Sequence, residues 1–139
     1  MSTTLGYTFD TWLDVPLEAA RVRVEAALKV EGFGILTEID VAATLRAKLG
    51  VETKPYLILG ACNPALAYQA LEIDPSTGAL LPCNVVLRQA PGGDQTLIEF
   101  LEPRTFLAIA GAAGLAAVAG EASQRLHRVA AALAASAEA

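Results

Sequence analysis

Residues 57–86, LILGACNPALAYQALEIDPSTGALLPCNVV, contain both cysteines of the 139-residue chain, and each cysteine is followed directly by asparagine. The stretch begins and ends with apolar runs that are typical of buried strands. Asn63-Pro64 is a helix-start signal, because asparagine favours the N-cap position and proline the first helical position. Residues 74–78, DPSTG, are a turn signal. We therefore predict strand, short helix, turn and returning strand, with a cysteine at the end of the first strand and at the start of the second.

Strands and helices outside this unit follow from hydrophobic periodicity. Five segments alternate between apolar and polar residues or are apolar on both faces, as strands are. The predicted strands are residues 5–10, 33–39, 53–61, 83–89 and 96–102. Other segments carry apolar residues at helical spacing. The predicted helices are residues 15–31, residues 41–49, a short helix from Pro64, and a final helical region from Pro103 whose main part is residues 115–135.

Single residues refine the boundaries of these elements. Asp14 is the predicted N-cap of the first long helix, with Pro16 in its first turn. Asp40 is the predicted N-cap of the short helix that follows it. Two glycines lie within predicted strands, Gly34 and Gly60. Glycine in a strand indicates a bulge or a close approach of another part of the chain.

The order of elements predicts the fold class. Strands joined by a hairpin at residues 90–94 pair in antiparallel fashion. Helices grouped at the two ends of a run of strands are typical of α+β proteins. We predict one domain, residues 1–139, with an antiparallel sheet of about five strands. Two long helices pack on one face, and two short helical excursions lie between strands. The other sheet face carries apolar residues, so we expect the short helices, a ligand or a second subunit to cover it, and we predict a homodimer.

Composition excludes some classes of function. The net charge of −5 argues against nucleic-acid binding, which depends on lysine and arginine neutralising phosphates. The longest uncharged apolar run, residues 105–120, is shorter than the roughly 20 residues that a spanning helix needs, so no membrane partner is predicted. The N-terminal residues lack the pattern of a secretory signal, which favours a cytoplasmic location with free thiols.

The two cysteines are the first candidates for chemistry. If their strands are neighbours, Cys62 and Cys83 lie close together at one edge of the sheet. Cys62 also precedes a helix N-terminus, where the helix dipole favours thiolate. Three interpretations stay open: small buried structural residues, a reactive thiol or dithiol, or half of a four-ligand metal site. No metal site is predicted, because two thiols are half of a usual ligand set and His127, the single histidine, is expected to be solvated.

Five further residues are candidates for ligand binding. Asn63 has a clear structural role as a helix cap, whereas Asn84 has none, because asparagine is disfavoured in strands. Glu38 lies on an otherwise apolar strand and is a candidate base or ligand contact, or a solvated carboxylate. Lys48 is a candidate anion anchor or a partner of its own helix C-terminus. Tyr68 borders the same cleft as the cysteines or simply packs.

Several short motifs, in order, carry a resemblance to a known family. They are GFG at residues 32–34, EID at 38–40, LGACNP at 59–64, AY at 67–68, LPCN at 81–84 and EP at 102–103. With these motifs the chain resembles DUF302, a bacterial and archaeal domain family of unknown function, over nearly its whole length. The family more usually has Asp-Pro where this chain has Glu102-Pro103. The resemblance implies a TATA-binding-protein-like β-α-β4-α fold and no established activity, so no catalytic residue is carried over.

Three functional hypotheses follow. The leading one is a small cytoplasmic domain that binds a small molecule or ion near the Cys62 and Cys83 strand ends. The second is a thiol-dependent enzyme that uses either cysteine in redox chemistry or in acyl or sulfur transfer. The third is a dimeric protein-interaction module in which the cysteines are structural. No motif names a reaction or a cofactor.

Overall fold

The computed structural model describes residues 6–138, with side chains up to Ala135, so the predicted strand position Leu5 lies outside the described residues. The strands are β1 (Thr8–Leu13), β2 (Gly34–Asp40), β3 (Tyr56–Cys62), β4 (Cys83–Gln89) and β5 (Thr96–Leu101). The helices are α1 (Leu17–Val30), α2 (Val41–Leu49), α3 (Pro64–Ile73), α4 (Pro103–Ala110) and α5 (Leu115–Glu138). A 3-10 helix, Pro75–Leu80, joins α3 to β4.

The five strands form one antiparallel sheet in the order β1-β5-β4-β3-β2. The predicted α+β class, the strand number and both short helical excursions, α2 and α3, are confirmed. Strand β4 lies at the centre, and β1 and β2 form the two edges. No described helix is long and apolar enough to cross a bilayer.

One face of the sheet carries the main core. Leu59, Val85, Leu87 and Phe100 point from the central strands and are completely buried. They pack against α1 and α5, so both long helices lie on the same face, as predicted. The buried helix residues in this cluster are Ala20, Val24, Leu28, Leu126, Val129 and Leu133. Each fully buried aliphatic side chain contributes roughly 1.5–3 kcal/mol, which makes this face the main source of stability.

The start of the first long helix differs from the prediction. Strand β1 extends to Leu13, which is fully buried, and the helix begins only at Leu17. Pro16 occupies the N-cap position, and no side chain caps the helix, so the predicted cap by Asp14 is wrong. The Thr96 hydroxyl donates to the Val15 carbonyl at 2.9 Å and helps to hold this turn against β5.

Strand β2 contains a β-bulge. Ile35 pairs with Ala61, but Thr37 pairs with Gly60, so one extra residue lies between them. Directly paired residues share a sheet face. Glu38, which pairs with Leu59, therefore lies on the helix face, and the predicted alternation along this strand is wrong beyond the bulge. The predicted helix cap by Asp40 is confirmed, because its carboxylate accepts from the Ala43 N–H at 2.9 Å.

The second face of the sheet, which we call the open face, is covered in part. The end of the 3-10 helix and the following Leu81-Pro82 pass over it, and Phe106 of α4 flanks the same region. No long helix packs there. The open face therefore keeps a concave surface beside the start of β4, where the Cys-Asn sequence lies.

Candidate functional site

Asn63 links three elements at the start of α3. Its side-chain oxygen accepts from the Leu66 N–H at 3.2 Å, which confirms the predicted N-cap. Its side-chain NH2 donates to the Glu31 carbonyl at the end of α1 at 3.4 Å. The same carbonyl accepts from Arg125 of α5 at 3.1 Å. Asn63 is buried and both ends of its amide are engaged, so its environment accounts for it structurally.

Both cysteines line one apolar cavity. Ala61 pairs directly with Cys83, so Cys62 is the next residue along the neighbouring strand. Both are free thiols and half-buried. The cavity has a volume of about 30 Å³, enough for one or two water molecules. Its other walls come from α3, α4 and α5 and include Leu66, Ala70, Phe106, Leu107, Val118 and Ala122.

Burial in the cavity favours the protonated form of both thiols. Burial raises the pKa of Cys83 to about 11, and the neighbouring Cys62 adds to the shift. Burial also raises the pKa of Cys62. Desolvation disfavours the charged thiolate, so it acts on Cys62 in the direction opposite to that expected from the helix N-terminus.

Asn84 faces a different space. Successive strand residues point to opposite faces, so Cys83 points to the helix face and Asn84 to the open face. There Asn84 lines a groove of about 390 Å³, which we call the open-face groove. The groove is lined by Tyr7, Thr8, Tyr56, Ala79, Leu80, Leu81, Pro82, Asn84, Val86, Glu99, Leu101 and Phe106. The Asn84 side chain is exposed, and it makes no hydrogen bond within the described residues.

Charged groups lie at one end of the groove. Glu99 accepts from Arg88 Nε at 2.7 Å, and the carboxylate is the more buried partner. Asp10 of β1 lies directly opposite Glu99 in the sheet. The hydrogen bond to Glu99 is the main cause that raises the pKa of Arg88, and Tyr56 and Asp10 add to it. Arg88 is the one basic residue in the five described strands, and its partner Glu99 lines the groove.

Gly60 allows Pro82 to approach strand β3 closely. It pairs with Asn84, and a Cβ at this position would lie 2.8 Å from Pro82 Cγ and closer still to the Thr37 hydroxyl. The prediction that Gly60 allows a close approach is therefore confirmed. A Cβ at Gly34 would meet nothing within 4 Å, so no close approach explains that glycine.

The remaining predicted site residues lie elsewhere. Glu38 forms a bidentate ion pair with Arg21 and ties β2 to α1. Lys48 is exposed on α2, in an open depression that also includes Glu38 and Asp40. Tyr68 is 64% exposed on α3 and lines neither the cavity nor the groove. The seven predicted residues thus separate into the cysteine cavity, the open-face groove and the outer surface.

A polar cluster that the sequence did not predict fixes α4. The Glu102 carboxylate accepts from His127 Nε2 at 2.8 Å and from the Arg104 N–H at the helix start at 3.3 Å. The His127 ring stacks on Phe9 with ring centroids 3.7 Å apart. Burial acts to raise the pKa of Glu102, but His127, the nearby Ser123 hydroxyl and the Arg104 N–H outweigh it and lower the pKa. His127 is exposed, as expected, and it also packs on Phe9 and hydrogen-bonds to Glu102.

Comparison with known proteins identifies the family. The profile described as "Domain of unknown function DUF302" matches residues 9–133, which is most of the chain. The chain belongs to the DUF302 family. It is similar to the crystal structure of an uncharacterized conserved DUF302 protein from Bacillus stearothermophilus, with 28% identity and a TM-score of 0.83. That match covers 91% of this chain and 97% of the other. A search of curated proteins finds no match.

Two of the sequence motifs contribute residues to the linings of the concave spaces. Residues 59–64 and 81–84 form the strand ends that separate the cavity from the groove. Among the residues that the structure describes, no three histidine, cysteine, aspartate or glutamate side chains come together as a metal site. Sequence reasoning missed Tyr56, Glu99 and Phe106. Tyr56 and Glu99 share the open face with Asn84, a relation that strand parity signals once the strand order is known.

Proposed function

We propose that this DUF302 domain binds a small molecule in the open-face groove, beside the strand ends that carry Cys62 and Cys83. The groove volume of about 390 Å³ is in the usual range for small-ligand sites, roughly 300–1,000 Å³. Its lining combines aliphatic and aromatic walls with a few polar groups, which is also typical of such sites. A small molecule suits this space better than a bare ion, because most of the lining is apolar.

The single observation that carries the proposal is the free amide of Asn84. Asparagine is disfavoured in strands, yet Asn84 lies in the central strand β4, and its side chain forms no hydrogen bond with a described residue. Asn63, which follows the other cysteine, has both ends of its amide engaged within the protein. An amide that the fold does not use, next to a concave surface, is available to a ligand.

The surrounding residues supply the rest of the site. Tyr56, Thr8 and Glu99 add hydroxyl and carboxylate groups on the neighbouring strands. Phe106 and Leu81 form apolar walls that exclude water from one side of the groove. Both also line the cysteine cavity, so the thiols act as packing residues behind the wall.

The proposal is tested by a fragment screen with the ¹⁵N-labelled domain. A library of neutral, anionic and cationic compounds of similar size is added one at a time, and backbone amide shifts are mapped. We expect the binding compounds to shift amides around Thr8, Asn84 and Leu101. The same compounds should bind the Asn84→Val variant at least tenfold more weakly, because the hydrogen-bonding edge of the bound ligand then has no partner.

Gln69→Val provides the matched control. Gln69 is an exposed amide residue on α3 outside the groove, so its removal should leave binding unchanged. Shifts that cluster around Leu66 and Ala70 instead would move the site to the cysteine cavity. Shifts around Ala43 and Lys48 would move it to the depression beside α2, and either result would overturn the proposal.

The thiol-dependent enzyme is the second candidate, and its specific support is that both thiols line one cavity. Against it stands the raised pKa of both thiols, because the protonated form is a poor nucleophile. We expect alkylation by iodoacetamide to follow an apparent pKa of about 11 for Cys83. Rapid alkylation of either cysteine at pH 7, read separately from Cys62→Ser and Cys83→Ser, would restore the enzyme hypothesis.

A homodimer in a reducing cytoplasm is part of the proposal. Strand β2 is an edge of the sheet, and nearly all of its residues are exposed, including Leu36 and Ile39. Exposed edge strands favour pairing with another chain. Sedimentation should detect a dimer that Leu36→Lys with Ile39→Lys abolishes. Val22→Lys, at an exposed position on α1, should not change it. A monomer at all concentrations would contradict this part.

A further inference from the structure

We infer that the open-face groove selects an uncharged, planar ligand with an amide-like edge and excludes anions such as phosphates and carboxylates. This inference rests on the proposed function, since it specifies the ligand class of the same groove. It concerns the charge and the hydrogen-bonding edge of the ligand.

First, the charged side chains around the groove disfavour an anionic ligand. Among the residues that the structure describes, no lysine, arginine or histidine lines the groove, and Glu99 is the one acidic side chain of the lining. The nearby Arg88 is engaged by Glu99, and Asp10 lies directly across the sheet from Glu99. Among the described lining residues, an anion entering the groove would therefore meet a carboxylate and no lysine, arginine or histidine. Like charges across a short distance in a partly desolvated site are strongly disfavoured.

Second, the hydrogen-bonding groups of the groove favour a ligand with a donor–acceptor edge. The amide of Asn84 offers one carbonyl acceptor and one NH2 donor, side by side. Its natural complement is another donor–acceptor edge, as in a carboxamide or a lactam, because two parallel hydrogen bonds then form. Asparagine recognises adenine edges in nucleic acids by the same bidentate geometry. Glu99, at 14% exposure, adds an acceptor for a further N–H of the ligand.

Third, the aromatic and aliphatic walls of the groove favour a planar ligand. Tyr7, Tyr56 and Phe106 place three aromatic side chains around one groove. Aromatic walls favour flat ligands, because ring faces and edges pack well against planar groups. The aliphatic part of the lining, Val86, Leu81 and Leu101, suits an apolar ring body. Together these features fit an aromatic or heterocyclic amide.

The test uses three probes of nearly the same size and shape. Benzamide presents a neutral donor–acceptor edge, acetophenone an acceptor alone, and benzoate an anionic edge. Each is titrated up to about 10 mM, since small fragments bind weakly. Backbone amide shifts in the groove report binding. We expect benzamide to bind at least tenfold more tightly than benzoate and several-fold more tightly than acetophenone.

Two variants test which residues set this order. Glu99→Gln removes the one acidic side chain of the described lining and the ion-pair partner of Arg88, so benzoate should gain affinity at least fivefold. Asn84→Asp replaces the neutral edge with an anionic one. It should reduce benzamide binding at least fivefold and raise the affinity for benzamidine, a cationic donor probe.

The possible outcomes distinguish a failure of this inference from a failure of the proposed function. If benzoate shifts the groove amides as strongly as benzamide does, the inference fails while groove binding stands. If no probe of any charge shifts the groove amides, and the wider fragment screen also leaves them unmoved, the proposed function fails. Equal binding of benzamide and acetophenone would overturn the role of the amide-like edge.

Discussion

The two faces of strand β4 have opposite characters. On the helix face, Val85 and Leu87 are completely buried and pack against both long helices. On the open face, Asn84, Val86 and Arg88 line or border a groove and stay partly exposed. The first face explains why the chain folds. The second carries groups that the fold does not use, which is why we assign function to it.

The same contrast separates the two Cys-Asn sequences. Asn63 ends a strand and starts a helix, so its amide closes hydrogen bonds within the protein. Asn84 lies inside a strand, and its amide points away from the core. Identical dipeptides therefore have different roles because the backbone continues as a helix in one case and as a strand in the other.

The largest expected difference compares two adjacent valines of β4. Val85→Ala removes two methyl groups from a completely buried position and should lower the free energy of unfolding by about 2–3 kcal/mol. Val86→Ala removes the same atoms from the open face and should change it by less than about 1 kcal/mol. Urea unfolding measures both. Equal losses would show that the open face is as tightly packed as the helix face.

The second prediction compares two strand glycines. Gly60→Ala puts a Cβ against the rigid ring of Pro82 and should destabilise the protein by about 1–3 kcal/mol. Gly34→Ala meets no neighbour and serves as the control, with a change near zero. The Gly60 variant should also weaken groove binding, because Pro82 forms part of the groove wall. A neutral Gly60→Ala would contradict the close approach.

The third prediction concerns the pH dependence of stability. The pKa of Glu102 is lowered in the folded protein, so its ionised form contributes stability above its ordinary pKa. That contribution is lost as the pH falls through the lowered value. Glu102→Gln should therefore cost about 1 kcal/mol at pH 7 and almost nothing near pH 2.

Glu72→Gln is the matched control for this pH effect. Glu72 is exposed on α3, and its carboxylate makes no ion pair with the described residues, so the substitution should leave stability unchanged at both pH values. A pH-independent loss in Glu102→Gln would indicate that the carboxylate acts through packing and not through its charge.

Short-range sequence signals predicted much of the fold, and the helix caps show why. Capping by Asn63 and Asp40 depends on neighbours in sequence, so short-range rules predict it. The bulge in β2 depends on which strand lies beside it, so strict alternation along the sequence misplaces the residues beyond it, such as Glu38. The start of α1 was predicted wrongly because β1 continues to Leu13, whose side chain is buried in the core.

The candidate site was predicted only in part. Asn84 was identified because its residue type conflicts with its strand, a conflict visible in sequence. Glu38 was identified by the same reasoning, but an ion pair with Arg21, seventeen residues away, accounts for it. Glu99 and Tyr56 belong to distant segments, and the groove exists only when four strands and Phe106 come together.

The central claim is that Asn84 serves binding and not folding, and Asn84→Val tests it most directly. Valine suits a strand better than asparagine, so the variant should be as stable as the wild type or more stable by about 0.5–1 kcal/mol. Benzamide affinity, measured on the same samples by amide shifts, should fall at least tenfold. A variant that is less stable by more than about 1 kcal/mol, or that binds benzamide as the wild type does, would contradict the claim.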